Sequence, residues 1–165
     1  MRPSGAQEMD DHTPRVLFVC LGNICRSPTA HGVFRAKARA AGLEVITDCA
    51  GTGNWHIGSA PDRRAQRSAA ARGYDLSDLR ARQFIPADYE RFDLILAMDR
   101  TNLRDLEAQR PQGNNIPVRL FRSRIKTDAT DIPDPYFNDN FDEVLAMIEL
   151  CADALVKDLH RKGQP

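Results

Sequence analysis

Arg15–Pro28 reads RVLFVCLGNICRSP, and the reading of this stretch decides the fold. RVLFVC (Arg15–Cys20) is a continuous apolar run rich in branched and aromatic residues, the pattern of a strand buried on both faces. Gly22 and Asn23 follow, and both tolerate unusual backbone angles, so the chain can turn at once. Ser27 is suited to cap a helix and Pro28 to stand in its first turn. Ala30, Val33, Phe34, Ala38 and Ala41 then recur at helical spacing, and Gly42 ends the segment.

Further strands and helices alternate along the chain. EVITDCAGT is a second, weaker strand, and GTGNWHIGSAP is a loop of turn residues without periodicity. Ser59 and Asp62 are spaced like a capping box for a helix running to about Gly73. FDLILAMD (Phe92–Asp99) is a second clear buried strand, TNLRDLEAQR a helix stopped by Pro111, and PVRLF a fourth strand. KTDATDIPDPYFNDN is a long polar loop, of the kind that is functional or disordered. In FDEVLAMIELCADALVKDLHRK, residues Phe141, Val144, Leu145, Ile148, Ala152, Leu155 and Leu159 form one stripe of a long amphipathic helix.

This alternation predicts an α/β fold with a parallel sheet. With 165 residues and no repeat, low-complexity run or linker, one domain over residues 15–165 is expected, after a disordered tail over residues 1–14. Ligands of such sheets bind beyond the carboxyl ends of the strands. CLGNICRS and MDRT both leave strands at that end.

Composition narrows the function. Lys plus Arg number 23 and Asp plus Glu 23, so a broad nucleic-acid or membrane-surface binder is not expected, though a small positive pocket is allowed. No apolar run approaches a membrane span, and MRPSGAQEMDDHTP lacks the apolar centre of a signal peptide. Four cysteines do not make a disulfide scaffold in a chain this size, so a reducing cytoplasm is the expected location.

Chemistry concentrates in the first loop. A thiolate is a strong nucleophile, and a helix N-terminus with a nearby cation favours it; here these are Cys20, the helix start and Arg26. Leu21, Gly22, Asn23, Ile24, Cys25 and Arg26 can turn successive N–H groups inward as an anion nest, suited to a phosphate-like dianion. Arg26 can clamp two oxygens with its fork, and Ser27 can hydrogen-bond the Cys20 sulfur. Other readings exist. A buried structural thiol is the commoner fate of a lone cysteine. A zinc site would need a second half, but Cys49 and Cys151 stand alone and no two histidines are close in sequence. The nucleotide loop GxxxxGK[ST] lacks its second glycine and its lysine here. Cys-x5-Arg-Ser between a buried strand and a helix remains a specific signal.

VLFVCLGNICRSP resembles the catalytic loop of the low-molecular-weight protein tyrosine phosphatases. The resemblance runs from about Val16 to Leu159 and includes DRRA (Asp62–Ala65), ARQF (Ala81–Phe84), MDRTNLRDL (Met98–Leu106) and DPYF (Asp134–Phe137). It implies a four-stranded parallel sheet flanked by helices on both faces, in the flavodoxin-like manner. It also implies hydrolysis of phosphotyrosine and aryl phosphates through a cysteinyl-phosphate. Cys20 would be the nucleophile, Arg26 the phosphate clamp and Asp134 the general acid, with Asn23 and Ser27 supporting the loop. Leu21, Trp55 and Tyr136 would wall the substrate cleft. No cofactor or metal is implied. The partners would be phosphotyrosine proteins, a tyrosine kinase among them, with inorganic phosphate as product.

Asp134 has an argument of its own. A phenolate leaves with difficulty unless a carboxylic acid protonates it, and the same carboxylate can later activate water. Pro135 biases Asp134 to an extended backbone. Taken from residues alone, a solvated loop acid beside Asp128, Asp131 and Asp139 is the plainer reading. Trp55 could likewise cover a core edge rather than a ligand. Cys25, in the same loop as Cys20, is a candidate partner for reversible oxidation.

Three positions depart from the family pattern. Leu79 stands where many members have a histidine that supports the loop asparagine, so Asn23 must turn to water or backbone. His31 stands where many bacterial members have glutamate, and Phe137 where some have a second tyrosine. Two rival functions share the fold. A thioredoxin-coupled arsenate reductase needs relay cysteines, which Arg72–Asp88 does not supply. A phosphotyrosine-binding module without turnover would be expected to have lost Cys20, Arg26 or Asp134.

Overall fold

The computed structural model describes residues 13–162. The tail expected over residues 1–14 therefore falls almost wholly outside the described residues, as do residues 163–165. β1 (Arg15–Cys20) pairs in parallel with β2 (Ile46–Gly51) on one side and β3 (Leu94–Ala97) on the other. β4 (Val118–Leu120) adds to β3, also in parallel, giving the order β2-β1-β3-β4. The most apolar strand is thus central, where both of its faces are covered.

Alternate side chains of the sheet feed two cores. Val16, Phe18, Cys20, Leu96 and Met98 pack beneath α1 (Arg26–Ala40) and α5 (Phe141–Lys162), against Phe34, Ile148 and Leu155. Leu17, Val19, Ile95 and Ala97 face the opposite side, against Tyr89 of α3 (Asp88–Arg91) and Leu106 of α4 (Arg100–Glu107). Helices therefore cover both faces. Phe18 sits edge-on to Phe34 and Phe121, at centroid distances of 5.6 and 5.2 Å. Burying a side chain of that size stabilises the fold by about 1.5–3 kcal/mol. This anchors the strand that delivers Cys20.

The stripe expected on α5 is buried from Phe141 to Leu155, with Leu159 partly so. Local boundaries differ from expectation in instructive ways. α1 begins at Arg26, not Pro28, and Ser27 does not cap it; its N-cap is Cys25, without a side-chain cap bond. The Ser27 hydroxyl lies in the first turn and is used by the Cys20 sulfur instead. α2 (Arg63–Ala71) is capped by Asp62, whose carboxylate accepts from the Arg64 N–H. Ser59 has no part in that cap; its backbone bonds Ala81 and His56. α4 stops at Glu107, ahead of Pro111. The short α3 and a 3-10 turn at Phe121–Arg124 carry too few residues for a periodic signal. Among the described residues no helix is long and apolar enough to cross a membrane.

Candidate active site

The order β2-β1-β3 places β1 at the point where connections diverge, and its carboxyl end opens a crevice. The chain beyond β2 holds the loop that leaves β1: Thr52 N–H donates to Cys20 O and Gly53 N–H to Leu21 O, both at 2.9 Å. Gly51 permits this close approach, since a Cβ there would lie 2.7 Å from the Leu21 carbonyl oxygen. Asp62 N–H secures the far side of the loop on Ile24 O at 2.8 Å. Asn23 takes a left-handed backbone, φ 57°, which asparagine tolerates better than most residues.

That turn brings donors onto sulfur. Asn23 N–H points at Cys20 Sγ from 3.2 Å, and Ser27 Oγ lies 3.0 Å from the same atom. Asn23 Nδ2 donates to Ser27 Oγ at 2.8 Å, and Asn23 Oδ1 accepts from Arg82 N–H at 2.9 Å. Asn23 thus turns to a backbone partner, the Arg82 N–H, while Leu79 is buried with Ala69 and Leu76. Asn23 and Ser27 are buried beneath the loop, whereas Cys20, Leu21, Gly22, Ile24, Cys25 and Arg26 line the cleft.

Arg26 is 3% exposed. Its Nη1 bonds Asp99 Oδ2 at 2.7 Å and Ile132 O at 2.9 Å. Burial opposes the Arg26 charge, but the neighbouring Cys20, Asp99 and Asp134 favour it and prevail. Asp99 follows β3 and caps α4 with its other oxygen, accepting from Asn102 N–H at 2.7 Å. One carboxylate thereby fixes both a helix start and the guanidinium. Sequence reasoning noted MDRT at a strand end but gave Asp99 no role; the signal was an acid at the carboxyl end of a buried strand.

The long loop arrives over the cleft from the other side. Ile132, fully buried, bonds Met98 O through its N–H at 2.8 Å. Two residues on, Asp134 Oδ2 stands 3.6 Å from Arg26 Nη2, and Asp134 Oδ1 accepts from Tyr136 N–H at 3.1 Å. Of the four acids in this loop only Asp134 lines the cleft. Asp131 instead receives the Arg100 N–H, and Asp139 pairs with Arg64 at 3.6 Å.

Trp55, 69% exposed, lines the cleft with Tyr136 and Phe137 and so does not cover a core edge. Its ring lies over Gly53, where a Cβ would come within 2.0 Å of it. The Arg64 guanidinium lies 5.4 Å from the Tyr136 ring centroid and 4.6 Å from that of Phe141. His56 and Phe137 join the lining without having been anticipated, because neighbours in a loop carry no periodic signal. Cys25 is buried in the cleft floor. Burial first, then the Asp62 charge, pushes its thiol far above the ordinary range.

One group of potential metal ligands occurs among the described residues: His31, Asp48 and Cys49, whose ligand atoms lie within 4.8 Å of one another. The Asp48 carboxylate is already committed to Arg82 Nε at 3.0 Å and to Cys49 N–H at 2.8 Å. A cation there would have to displace a guanidinium.

Residues 15–165 match the family described as low molecular weight phosphotyrosine protein phosphatase. A low molecular weight protein-tyrosine-phosphatase of Streptomyces coelicolor is 44% identical over 152 residues, covering 87% of this chain and 92% of the relative. The low molecular weight protein-tyrosine-phosphatase YfkJ of Bacillus subtilis is 38% identical over 152 residues, covering 90% of this chain and 97% of its own. The crystal structure of YfkJ superposes with a TM-score of 0.88, at 36% identity, covering 92% of this chain and 98% of that one.

Proposed function

The chain belongs to the low molecular weight protein-tyrosine phosphatases, hydrolases of phosphotyrosine, and from that premise we propose how its own residues carry the reaction. Cys20 is the nucleophile, Arg26 the phosphate clamp and Asp134 the proton donor. One observation supports this assignment above others: a sulfur held by two donors, a buried guanidinium and a single carboxylate converge in one cleft.

The dianionic phosphate enters the nest of Leu21–Arg26 at the start of α1, where backbone N–H groups and the helix dipole favour negative charge. Arg26, steadied by Asp99, binds two of its oxygens with a fork that a lysine could not reproduce. The Cys20 sulfur attacks phosphorus. Asp134 gives its proton to the departing phenolic oxygen, and a cysteinyl-phosphate forms. Water, deprotonated by Asp134, then attacks phosphorus. Inorganic phosphate leaves, and the thiolate returns to the hydrogen bonds of Ser27 and Asn23. Trp55 and Tyr136, with Leu21, sandwich the tyrosine ring, and the depth this creates disfavours the short phosphoserine.

Four free thiols among the described residues support a reducing, cytoplasmic setting. An autophosphorylating tyrosine kinase is the partner that fits a phosphotyrosine substrate. Cys25 supports reversible oxidation: peroxide converts the Cys20 thiolate to a sulfenic acid, which the Cys25 thiol condenses with, releasing water. A Cys25→Ser enzyme would then fail to recover in dithiothreitol after a dose from which the wild type recovers.

Rapid quenching with radiolabelled aryl phosphate tests the central assignment. Label should appear on the wild-type protein and be absent from Cys20→Ser. Label on that variant would overturn the role of Cys20.

A further inference from the structure

The segment that carries Asp134 is anchored at both ends and exposed between them. At one end Ile132 is fully buried, and its N–H bonds Met98 O. At the other, Phe141 opens α5 and packs with Cys25 and Ala65, against the floor of the cleft. Between these anchors Asp139 N–H donates to Pro135 O at 2.8 Å and closes a turn around Tyr136 and Phe137, whose rings are exposed.

Arg64, in the first turn of α2, reaches across that turn. Its guanidinium carbon lies 4.6 Å from the Phe141 ring centroid and 5.4 Å from that of Tyr136, and its Nη1 is 3.6 Å from Asp139 Oδ1. Tyr136, Asp139 and Phe141 thus all meet one cation. The other edge of the guanidinium is taken by Asp62, with Nε 3.2 Å from Oδ1 and Nη2 3.1 Å from Oδ2. A fork held at two points fixes the plane of the cation, which a lysine could not do. Asp62 itself is tied to the cradle, since its N–H donates to Ile24 O at 2.8 Å. The route from cradle to acid is therefore short. It runs from Ile24 through Asp62 and Arg64 to Tyr136, whose N–H donates to Asp134 Oδ1 at 3.1 Å.

We propose that Arg64 is a positioning residue, a clasp that holds the Asp134 segment in register with the cradle so that the carboxyl group meets the leaving oxygen. A cation over exposed rings and an ion pair open to solvent are each weak. The segment can therefore lift to admit an ester or release phosphate, and reseat before the proton moves. The proposal rests on the reading of Asp134 as proton donor.

The test is a series of aryl phosphates of graded leaving-group pKa, run on Arg64→Leu and Asp139→Asn, each alone and combined with Asp134→Ala. In Arg64→Leu, kcat on the most basic phenol should fall about three- to tenfold, and the deficit should vanish on the most activated one, with no such slope in KM. The cap of α2 survives this change, because Asp62 Oδ1 accepts from the backbone N–H of residue 64. Asp139→Asn should give the same slope at smaller amplitude. Its backbone is left-handed, φ 57°, which asparagine tolerates well, so the charge alone is lost and the question stays answerable where the leucine variant misfolds. With Asp134 replaced by alanine, Arg64→Leu should add no further deficit on any leaving group, because its effect passes through that carboxyl. A wild-type profile in both variants would overturn the proposal. So would a deficit that is flat across the series, one confined to KM, or one undiminished without Asp134. A flat deficit in Asp134→Ala itself would overturn the assignment of the acid, and the clasp with it.

Discussion

The two loops that meet at the cleft are built on opposite plans. From the end of β1 into the first turn of α1, Asn23, Cys25, Arg26 and Ser27 are all buried, and the loop is bonded to β2's extension, to Asp62 and to Arg82. Across the cleft, Asp134 is half-exposed and Tyr136 and Phe137 are exposed; the segment is held chiefly at buried Ile132 and by an Asx-type turn at Asp134. On the roles proposed above, the first loop presents fixed dipoles to charge that develops on phosphate, and reorganising them during the reaction would forfeit their effect. On those proposed roles, the second must admit a bulky aryl ester and close a proton donor onto it, which demands freedom to move. A rigid cradle and a loosely tethered acid therefore predict different kinds of mutational damage.

The largest effect belongs to the cradle. Cys20→Ser should reduce hydrolysis of para-nitrophenyl phosphate by ~10⁴-fold or more, while inorganic phosphate still binds. Retained turnover would break the comparison outright.

Damage to the acid arm should depend on the substrate instead. Asp134→Ala should cost about 10²–10⁴-fold on phenols of high pKa and progressively less on activated ones, which leave without a proton. A series of aryl phosphates measures this slope. A flat deficit, or a slope that appears in Asp131→Ala, would remove Asp134 from the role.

Acid should destabilise the cradle's half of the molecule. His31 takes up a proton near pH 6.5 when unfolded but only at about 4 when folded. The unfolded chain therefore binds more protons between those values, and stability falls as pH drops from 6.5 towards 4, by ~3 kcal/mol for this group. Urea unfolding across that range should show the fall, and His31→Gln should flatten it.

Asp99→Asn sharpens the contrast further, since asparagine preserves the helix cap but not the ion pair with Arg26. Trading a charge-assisted bond for a neutral one should weaken phosphate inhibition about tenfold, with little dependence on leaving group. The smallest effect is at the rim. Trp55→Ala should raise KM for aryl phosphates by ~2–12-fold, corresponding to about 0.5–1.5 kcal/mol, and leave alkyl phosphates unaffected. An equal loss on both would make Trp55 a structural residue.

Much of the architecture was legible because burial writes itself into sequence as periodicity. RVLFVC reads as a strand buried on both faces, and the α5 stripe as a long amphipathic helix; both form as expected. The cradle was legible for a different reason: the proposed nucleophile, nest and cation lie within eight consecutive residues, so local chemistry sufficed to single them out. Ser27 shows the limit of that method. Propensity favoured a helix cap, and a sulfur seven residues earlier took the hydroxyl instead.

By itself, then, the sequence determined the parallel α/β layout, the loop from Cys20 to Ser27 and the type of chemistry it carries. Only the tertiary structure decided which distant groups serve that loop. Asp99 reaches Arg26 across 73 residues and Arg82 reaches Asn23 across 59. It also separated Asp134 from three neighbouring acids of the same loop. The physical reason is that periodicity and spacing report forces acting within a few residues. A buried hydrogen bond between remote segments exists only after the sheet has brought their strand ends together.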